Sequence, residues 1–399
     1  MTATQYDLIV VGLGAMGSAA LYQASRRGAT ALGIDRFDPP HSMGSSHGDT
    51  RITRSAIAEG EMYMPFVRRS NEIWRDLEAQ SGRTLFHRSG GLIIGSDNSA
   101  AFHFQGDFVQ TSARIAAKFG IAHEVLNADE IVRRFPLLTP RPHERAYYEP
   151  GAGVLRPERC IETQLELARQ AGATIHTNER VTGYKADRDG VTVRTEAASY
   201  RASKLILTAG AWIGELLPAA HRSGIRVCRQ VIHWFEAADR SAFDPTRFPY
   251  VIWIGETLAD FWSVFPAPPL NDAGRDGVKL VTEQYHTSAQ PDEVERVVTE
   301  AEKADMYHRL TKPRLKGLRE RSLQAEVCLY TLTQDEHFLI DFHPATERVV
   351  VASPCSGHGF KHSAAVGETL TQLALDGGCE FDISAFKLAR LSANGSANG

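Results

Sequence analysis

The chain has 399 residues, 43% of them hydrophobic and 23% charged, which supplies ample core for two domains. Its net charge of −4 gives no electrostatic ground for binding DNA, RNA or an anionic membrane. No apolar run approaches the roughly 18–20 residues that cross a bilayer, and the polar start at residues 1–5 carries no secretory signature. A cytoplasmic protein is expected. Cys160, Cys228, Cys328, Cys355 and Cys379 stand far apart without a CxxC pair, which predicts neither a disulfide framework nor a metal site.

In chain order, Asp7-Leu-Ile-Val-Val-Gly12 reads as a strand buried on both faces. A helix over 16–27, closed by Gly28, and a strand over 29–35 complete a βαβ unit. Helical patterns follow at 62–80, 107–120, 129–134 and 157–171. Strands are predicted at 89–95, 174–176 and 191–194, and in Lys204-Leu-Ile-Leu-Thr-Ala-Gly210. Residues 222–285 change character, with strand-like segments at 226–236, 250–254, 260–265 and 277–282 between Pro/Gly/Asp turns. That stretch predicts antiparallel sheet. A charged helix is expected over 291–310, a buried strand at 348–352, a last helix at 363–375 and a flexible tail at 392–399.

Nucleotide-fold signals stand at the start, middle and end. They predict an α/β protein: a discontinuous Rossmann-like domain (1–88, 150–220 and 323–391) with an inserted antiparallel-sheet substrate domain (89–149 and 221–322).

Gly12-Leu13-Gly14-Ala15-Met16-Gly17 is a GxGxxG turn set between strand and helix. Gly12 makes the tight turn, Gly14 admits a pyrophosphate, and Gly17 lets helix and strand pack closely. Asp35, about 20 residues on, ends the second strand where a ribose hydroxyl would sit. The fingerprint does not separate NAD from FAD. Leu207-Thr208-Ala209-Gly210, a late strand ending in small residues, is common in FAD proteins and equally compatible with plain sheet packing.

Three further motifs carry a specific resemblance. Phe37-Asp-Pro-Pro-His-Ser-Met-Gly-Ser-Ser-His47-Gly48-Asp49-Thr50-Arg51-Ile52-Thr53-Arg54 resembles DPPH…GSHHGDTRIIR, the flavin-contacting loop of the monomeric sarcosine oxidase and N-methyltryptophan oxidase family. Those enzymes are FAD-dependent amine oxidases of the D-amino acid oxidase superfamily. Cys328-Leu-Tyr330-Thr, followed by Asp335-Glu336-His337-Phe338, is similar to their CMYT…DEHF segment. Gly357-His358-Gly359-Phe360-Lys361 matches GHGFK, and Gly277-Val278-Lys279-Leu280 resembles the start of GLKLGYH. The matches come in order and span most of the chain.

The resemblance implies FAD bonded covalently through Cys328, with Arg51, Gly357, Gly359 and Phe360 among its neighbours. It implies that Arg54 and Lys361 hold a substrate carboxylate, for which a guanidinium fork and a second point charge are suited. Lys279 would assist reduction of O2, and His47 and Tyr330 complete the expected catalytic set. Departures from the family pattern cluster where a substrate side chain would lie. Ile57 follows Arg54 in place of a tyrosine, Trp262 stands in Phe261-Trp-Ser-Val-Phe-Pro266, and His286 ends Leu280-Val-Thr-Glu-Gln-Tyr-His in place of Leu-Gly-Tyr-His.

The expected activity is therefore oxidation of a secondary amino acid to an imine, with O2 reduced to H2O2, by a monomer acting on a small molecule. A larger apolar, even aromatic, side chain than that of sarcosine is expected. Oxidation of a cyclic or sugar-modified amine, and electron transfer to an acceptor other than O2, remain open alternatives, as does a non-catalytic nucleotide-binding module.

Overall fold

In the computed structural model, Gln5–Val11 is the strand from which the first sheet grows on both sides. The structure describes residues 5–101, 106–268, 275–285 and 287–391; the expected tail at 392–399 lies outside them. Gln5–Val11 pairs in parallel with Ala31–Ile34 on one side and Ser199–Leu207 on the other. Thr174–His176 extends the parallel array beyond the former, and Thr346–Ser353 beyond the latter.

The apolar runs predict strands buried on both faces, and the packing shows why. Leu8, Val10, Ile206 and Val350 enter one core, while Ile9, Val11, Leu205 and Val349 enter another on the opposite face. Three helices, Ala15–Arg26, Pro157–Gln170 and Ser363–Asp376, lie together over the first of these faces.

The second sheet runs in the order Leu318–Thr333, Ile225–Ala237, Val278–Thr282, Trp262–Val264, Tyr250–Trp253, Gly91–Gly95, Arg145–Glu149 and Glu124–Asn127. Its pairs are antiparallel except Tyr250–Trp253 with Gly91–Gly95, which is parallel. A small sheet of Arg51–Thr53, Gly153–Leu155 and Phe86–Arg88 was not legible in the sequence, because three-residue strands carry no measurable period.

Two expectations are corrected. The domain boundary at 322/323 falls inside a strand: Leu318–Thr333 is paired to Ile225–Ala237 from end to end, so Cys328 rides on the second sheet. The first half of that strand is largely solvent-facing, which removes the apolar pattern that would have announced it. The helix expected over 291–310 is α-helical only at Glu300–Asp305, then continues as a π turn at Met306–Thr311. Thr299 and Glu302 form a capping box that fixes its start. Upstream, Arg229 donates to the carbonyls of Glu295 and Val297 and holds that stretch out of the helix.

Helix Ser363–Asp376 meets Ala15–Arg26 at Gly367, where an added Cβ would lie 2.3 Å from the Ala19 Cβ and 2.6 Å from its carbonyl carbon. Gly367→Ala is expected to cost about 1–3 kcal/mol through overpacking. A thermal unfolding midpoint that stays unchanged or rises would show that the two helices separate without cost.

Candidate active site

The glycines of the first turn behave as their spacing implies. Gly12 has φ +87°, and a Cβ there would sit 2.5 Å from the Thr208 carbonyl oxygen. A Cβ on Gly17 would lie 1.7 Å from the Gly12 oxygen, so this glycine sets helix-to-strand packing and is not part of the cavity wall. Gly14 caps Ala15–Arg26 without a side-chain bond, and a Cβ there would meet only Ser46 Oγ at 3.6 Å. Ser46 Oγ accepts from the Ala15 amide at 3.4 Å, a long contact that an approaching anion can replace. Asp35 accepts from the amides of Leu13 (2.6 Å) and Phe37 (2.8 Å), and burial lifts its pKa while those bonds oppose the shift.

One cavity is lined by Gly12, Gly14 and Asp35 and also by Arg51, Arg54, Lys279, Cys328 and Tyr330. The same wall includes Gly357, Gly359, Phe360 and Lys361. A long dinucleotide suits such a space, whose wall includes both the glycine turn and the glycines of the last motif. These residues fit FAD.

His47 and Cys328 form a polarised pair. His47 Nδ1 lies 3.1 Å from Glu326 Oε2. Burial opposes its protonation, but Cys328 and Glu326 prevail and raise its pKa to about 9. Burial likewise opposes a thiolate at Cys328, yet His47, Arg51 and Lys279 hold its pKa below the ordinary thiol value. Arg51 Nη2 approaches the sulfur at 3.8 Å. The other four cysteines are shifted upward by burial, so Cys328 alone is primed as a nucleophile.

Lys279 is 4% exposed, donates to the Thr50 carbonyl at 2.6 Å and lies 4.2 Å from the centre of the Phe265 ring. Burial, reinforced by Arg51, pushes its pKa well below the usual lysine value. Both flanking loops are tied down. Glu158, in the first turn of Pro157–Gln170, accepts from the amides of Gly48 and Asp49, and Arg275 joins Asp49 to Glu326.

Arg54 and Lys361 converge on a residue the motif comparison did not single out. Arg54 Nη2 donates to Glu59 Oε2 at 2.5 Å, and Lys361 Nζ to Glu59 Oε1 at 3.1 Å. All three line the cavity and are buried. Burial lowers the Lys361 pKa to about 8 despite the attraction of Glu59. Glu149 accepts from the amides of Ser55 and Ala56 and from the Tyr147 hydroxyl, which fixes the loop after Arg54.

The expected side-chain pocket is placed differently. Trp262 faces away from the cavity and stacks on Trp253 in the core behind the sheet, with ring centres 5.6 Å apart. Its neighbours Ser263 and Phe265 line the cavity instead. Ile57 is buried in the main core and is not on the wall. His286 lies outside the described residues. The apolar side chain expected from Ile57 and Trp262 therefore loses its basis. The wall residues missed in the sequence are Glu59, Ile252, Ser263, Val281 and Glu283. The motif Val278-Lys279-Leu280 did contain a usable signal: period-two alternation from Lys279 places Val281 on the lysine's face, while Glu283 lies past the strand's end.

A small carboxylate that does not titrate near neutrality should bind between Arg54 and Lys361. Because the lysine's pKa is depressed, its cation is complete only below about pH 8, so affinity should fall as pH rises through that value. Arg54 keeps its charge, and binding should weaken without vanishing. A dissociation constant that stays flat across that range would remove Lys361 from the grip.

Comparison with known proteins gives these features a family. The family model described as FAD dependent oxidoreductase matches residues 7–373. Monomeric sarcosine oxidase of Bacillus sp. (strain B-0618) is 38% identical over 393 residues, covering 97% of both chains. N-methyl-L-tryptophan oxidase of Yersinia pestis (strain Pestoides F) is 37% identical over 386 residues, covering 96% of this chain and 99% of its own. Among solved structures, NikD, an unusual amino acid oxidase essential for nikkomycin biosynthesis, superposes with a TM-score of 0.82 at 24% identity, covering 96% of this chain and 98% of its own. A fructosyl amine:oxygen oxidoreductase from Aspergillus fumigatus shares the fold at 17% identity, with a TM-score of 0.74 over 97% of this chain and 90% of its own. The chain belongs to the FAD-dependent oxidoreductase family that includes monomeric sarcosine oxidase and N-methyl-L-tryptophan oxidase.

Proposed function

We propose that this protein oxidises an N-methylated amino acid at its CH–NH bond, giving an imine that hydrolyses to formaldehyde and the primary amino acid, with O2 reduced to H2O2. The observation that carries the reading is the buried Arg54–Glu59–Lys361 cluster, which lines the same cavity as the dinucleotide turn. Two cations sharing one carboxylate leave one positive charge, the complement of an α-carboxylate.

FAD held along this wall would supply the two-electron redox chemistry between the substrate and O2. The protein's groups do the rest. Arg54 and Lys361 orient the amino acid by its carboxylate, and the dry wall around them strengthens that contact. Lys279, buried beside Arg51, offers a positive charge where negative charge develops on oxygen. Cys328, held low in pKa by His47, Arg51 and Lys279, is read as the thiolate that attaches the flavin covalently. No helix among the described residues is long and apolar enough to cross a membrane.

Three measurements test this. Sarcosine, N-methylalanine, N-methyltryptophan, proline and pipecolate should be compared in a peroxide-coupled assay. The methyl ester of the best substrate should lose about ten- to a hundred-fold in kcat/KM, as should Arg54→Ala with the free acid. Substrate oxidation without H2O2 would favour a dehydrogenase.

Acid-precipitated wild-type protein should keep its yellow colour in the pellet, while Cys328→Ala should release FAD to the supernatant. Flavin that washes out of the wild type would defeat the covalent assignment.

Lys279→Met should slow reoxidation by O2 far more than anaerobic reduction by substrate. In the wild type the reoxidation rate should decline with rising pH below the ordinary lysine range, because the depressed pKa surrenders the cation early. Equal losses in both half-reactions would assign the lysine to folding or binding.

A further inference from the structure

The cavity wall beside the Gly357–Lys361 motif contains an acid that the common reaction does not use. Strand Val278–Thr282 sends Val278 and Leu280 into the core behind the sheet and Lys279 and Val281 into the cavity. The alternation ends with the strand: Thr282 and Glu283, at and just past its end, both line the cavity. The Tyr285 hydroxyl donates to Glu283 Oε2 and fixes the carboxylate's position. Tyr285 is itself buried, its ring centre 6.2 Å from that of Tyr330, and its hydroxyl lies 2.8 Å from where a Gly357 Cβ would be. Glu283 therefore stands beside the Gly357–Lys361 motif. Its charge is felt there: after burial, it is the largest influence raising the Tyr330 pKa, and it also acts on Lys361.

Glu283 is not needed as counterion to the grip, because Glu59 already bridges Arg54 and Lys361. Nor does the reaction call for a carboxylate here. The chain also departs here from the related Lys-Leu-Gly-Tyr-His pattern: Val281-Thr-Glu283-Gln stands between Leu280 and Tyr285-His286, where that pattern has a single glycine. A change of chemistry at the wall, with the reacting machinery retained, bears on what distinguishes one substrate from another.

We infer that Glu283 is a specificity-determining residue that selects an amino acid with a cationic side chain, an ammonium or guanidinium that pairs with this carboxylate while Arg54 and Lys361 hold the α-carboxylate. The inference rests on the N-methyl amino acid oxidation proposed above and names the class of amino acid for that site. Glu283 is half-buried, and an anion held in place on the wall attracts a cation and rejects an acidic side chain, so discrimination works in both directions. It also replaces the apolar preference that Ile57 and Trp262 had implied.

The test compares Nα-methyllysine with Nα-methylnorleucine, a neutral side chain of similar length, in the holoenzyme and in Glu283→Gln. Wild type should favour the lysine derivative by about tenfold or more in kcat/KM, mainly through KM, and Glu283→Gln should reduce that ratio by about tenfold or more. A wild-type ratio at or below one, or a ratio unchanged by Glu283→Gln, overturns the inference. So does a parallel fall for both substrates, which would assign the carboxylate to the reacting amine or to folding. N-fructosylglycine outrunning both compounds would also overturn it, in favour of hydroxyl recognition.

If the flavin-loaded enzyme oxidises neither compound, the binding of lysine and norleucine can be followed by flavin absorbance. Selectivity for lysine that Glu283→Gln abolishes would uphold the role of Glu283 while the proposed reaction fails. Equal binding of the two would sink both.

Discussion

Arg54 and Lys361 can be buried side by side only because Glu59 lies between them. Two unpaired cations in a space this dry would lose their charge or force the loop open. One carboxylate shared between them makes the pair tolerable and still leaves a net attraction for an anion. The loop carrying Arg54 is in turn constrained by Glu149, whose carboxylate takes the amides of Ser55 and Ala56 and the hydroxyl of Tyr147. The grip is therefore built before any ligand arrives. Binding a carboxylate then means sharing donors already aimed, rather than ordering flexible side chains, which is the cheaper route to orientation.

The second sheet gives this grip its surroundings by a division of labour between its faces. Trp253, Trp262, Val264, Val278 and Leu280 fill the core on one side. Ile252, Ser263, Phe265, Lys279 and Val281 present the other side to the cavity. A strand with both faces covered packs functional and structural residues in strict alternation. A one-residue slip would exchange Lys279 for Leu280 and put a charge into an aromatic core. The stacked pair Trp253–Trp262 is thus indirectly functional: it holds the register that keeps Lys279 against the Thr50 carbonyl.

That alternation also explains what could be read in advance. The nucleotide turn was legible because Gly12, Gly14 and Gly17 act within six residues of one another, each for a local steric reason. The parallel strands were legible because both faces are apolar. The faces of the short strand Trp262–Val264 were not, since three residues buried on both sides show no period. Glu59 escaped notice for a different reason: Arg54 is only five residues before it, but its second partner Lys361 is 302 residues away, and an isolated glutamate after Ala58 resembles any solvated acid. Glu326 is hidden likewise, on a strand whose opening half looks like a charged loop. Motifs announce chemistry whose parts are contiguous in the chain, while the counterions that make it possible arrive from elsewhere.

The counterions around Cys328 show what this separation achieves. Arg275 donates to Asp49 and Glu326, and its guanidinium lies 4.9 Å from the centre of the Trp234 ring. Glu326 meets His47, and His47 acts on the Cys328 sulfur. Asp49 and Gly48 meanwhile rest on Glu158 through their amides. The loop that supplies His47 and Arg51 is thereby joined to the strand that supplies Cys328 by a chain of alternating charges, not by apolar packing alone. Such a chain is demanding, because each buried charge depends on its neighbour for compensation. It also fixes Nδ1 as the His47 nitrogen that faces Glu326. The polarity of the thiol is therefore set by the two-sheet architecture as a whole: Glu326 and Cys328 share one strand, so separating the loop from it would take both partners from His47 and return Cys328 toward the unreactive state of the other four cysteines.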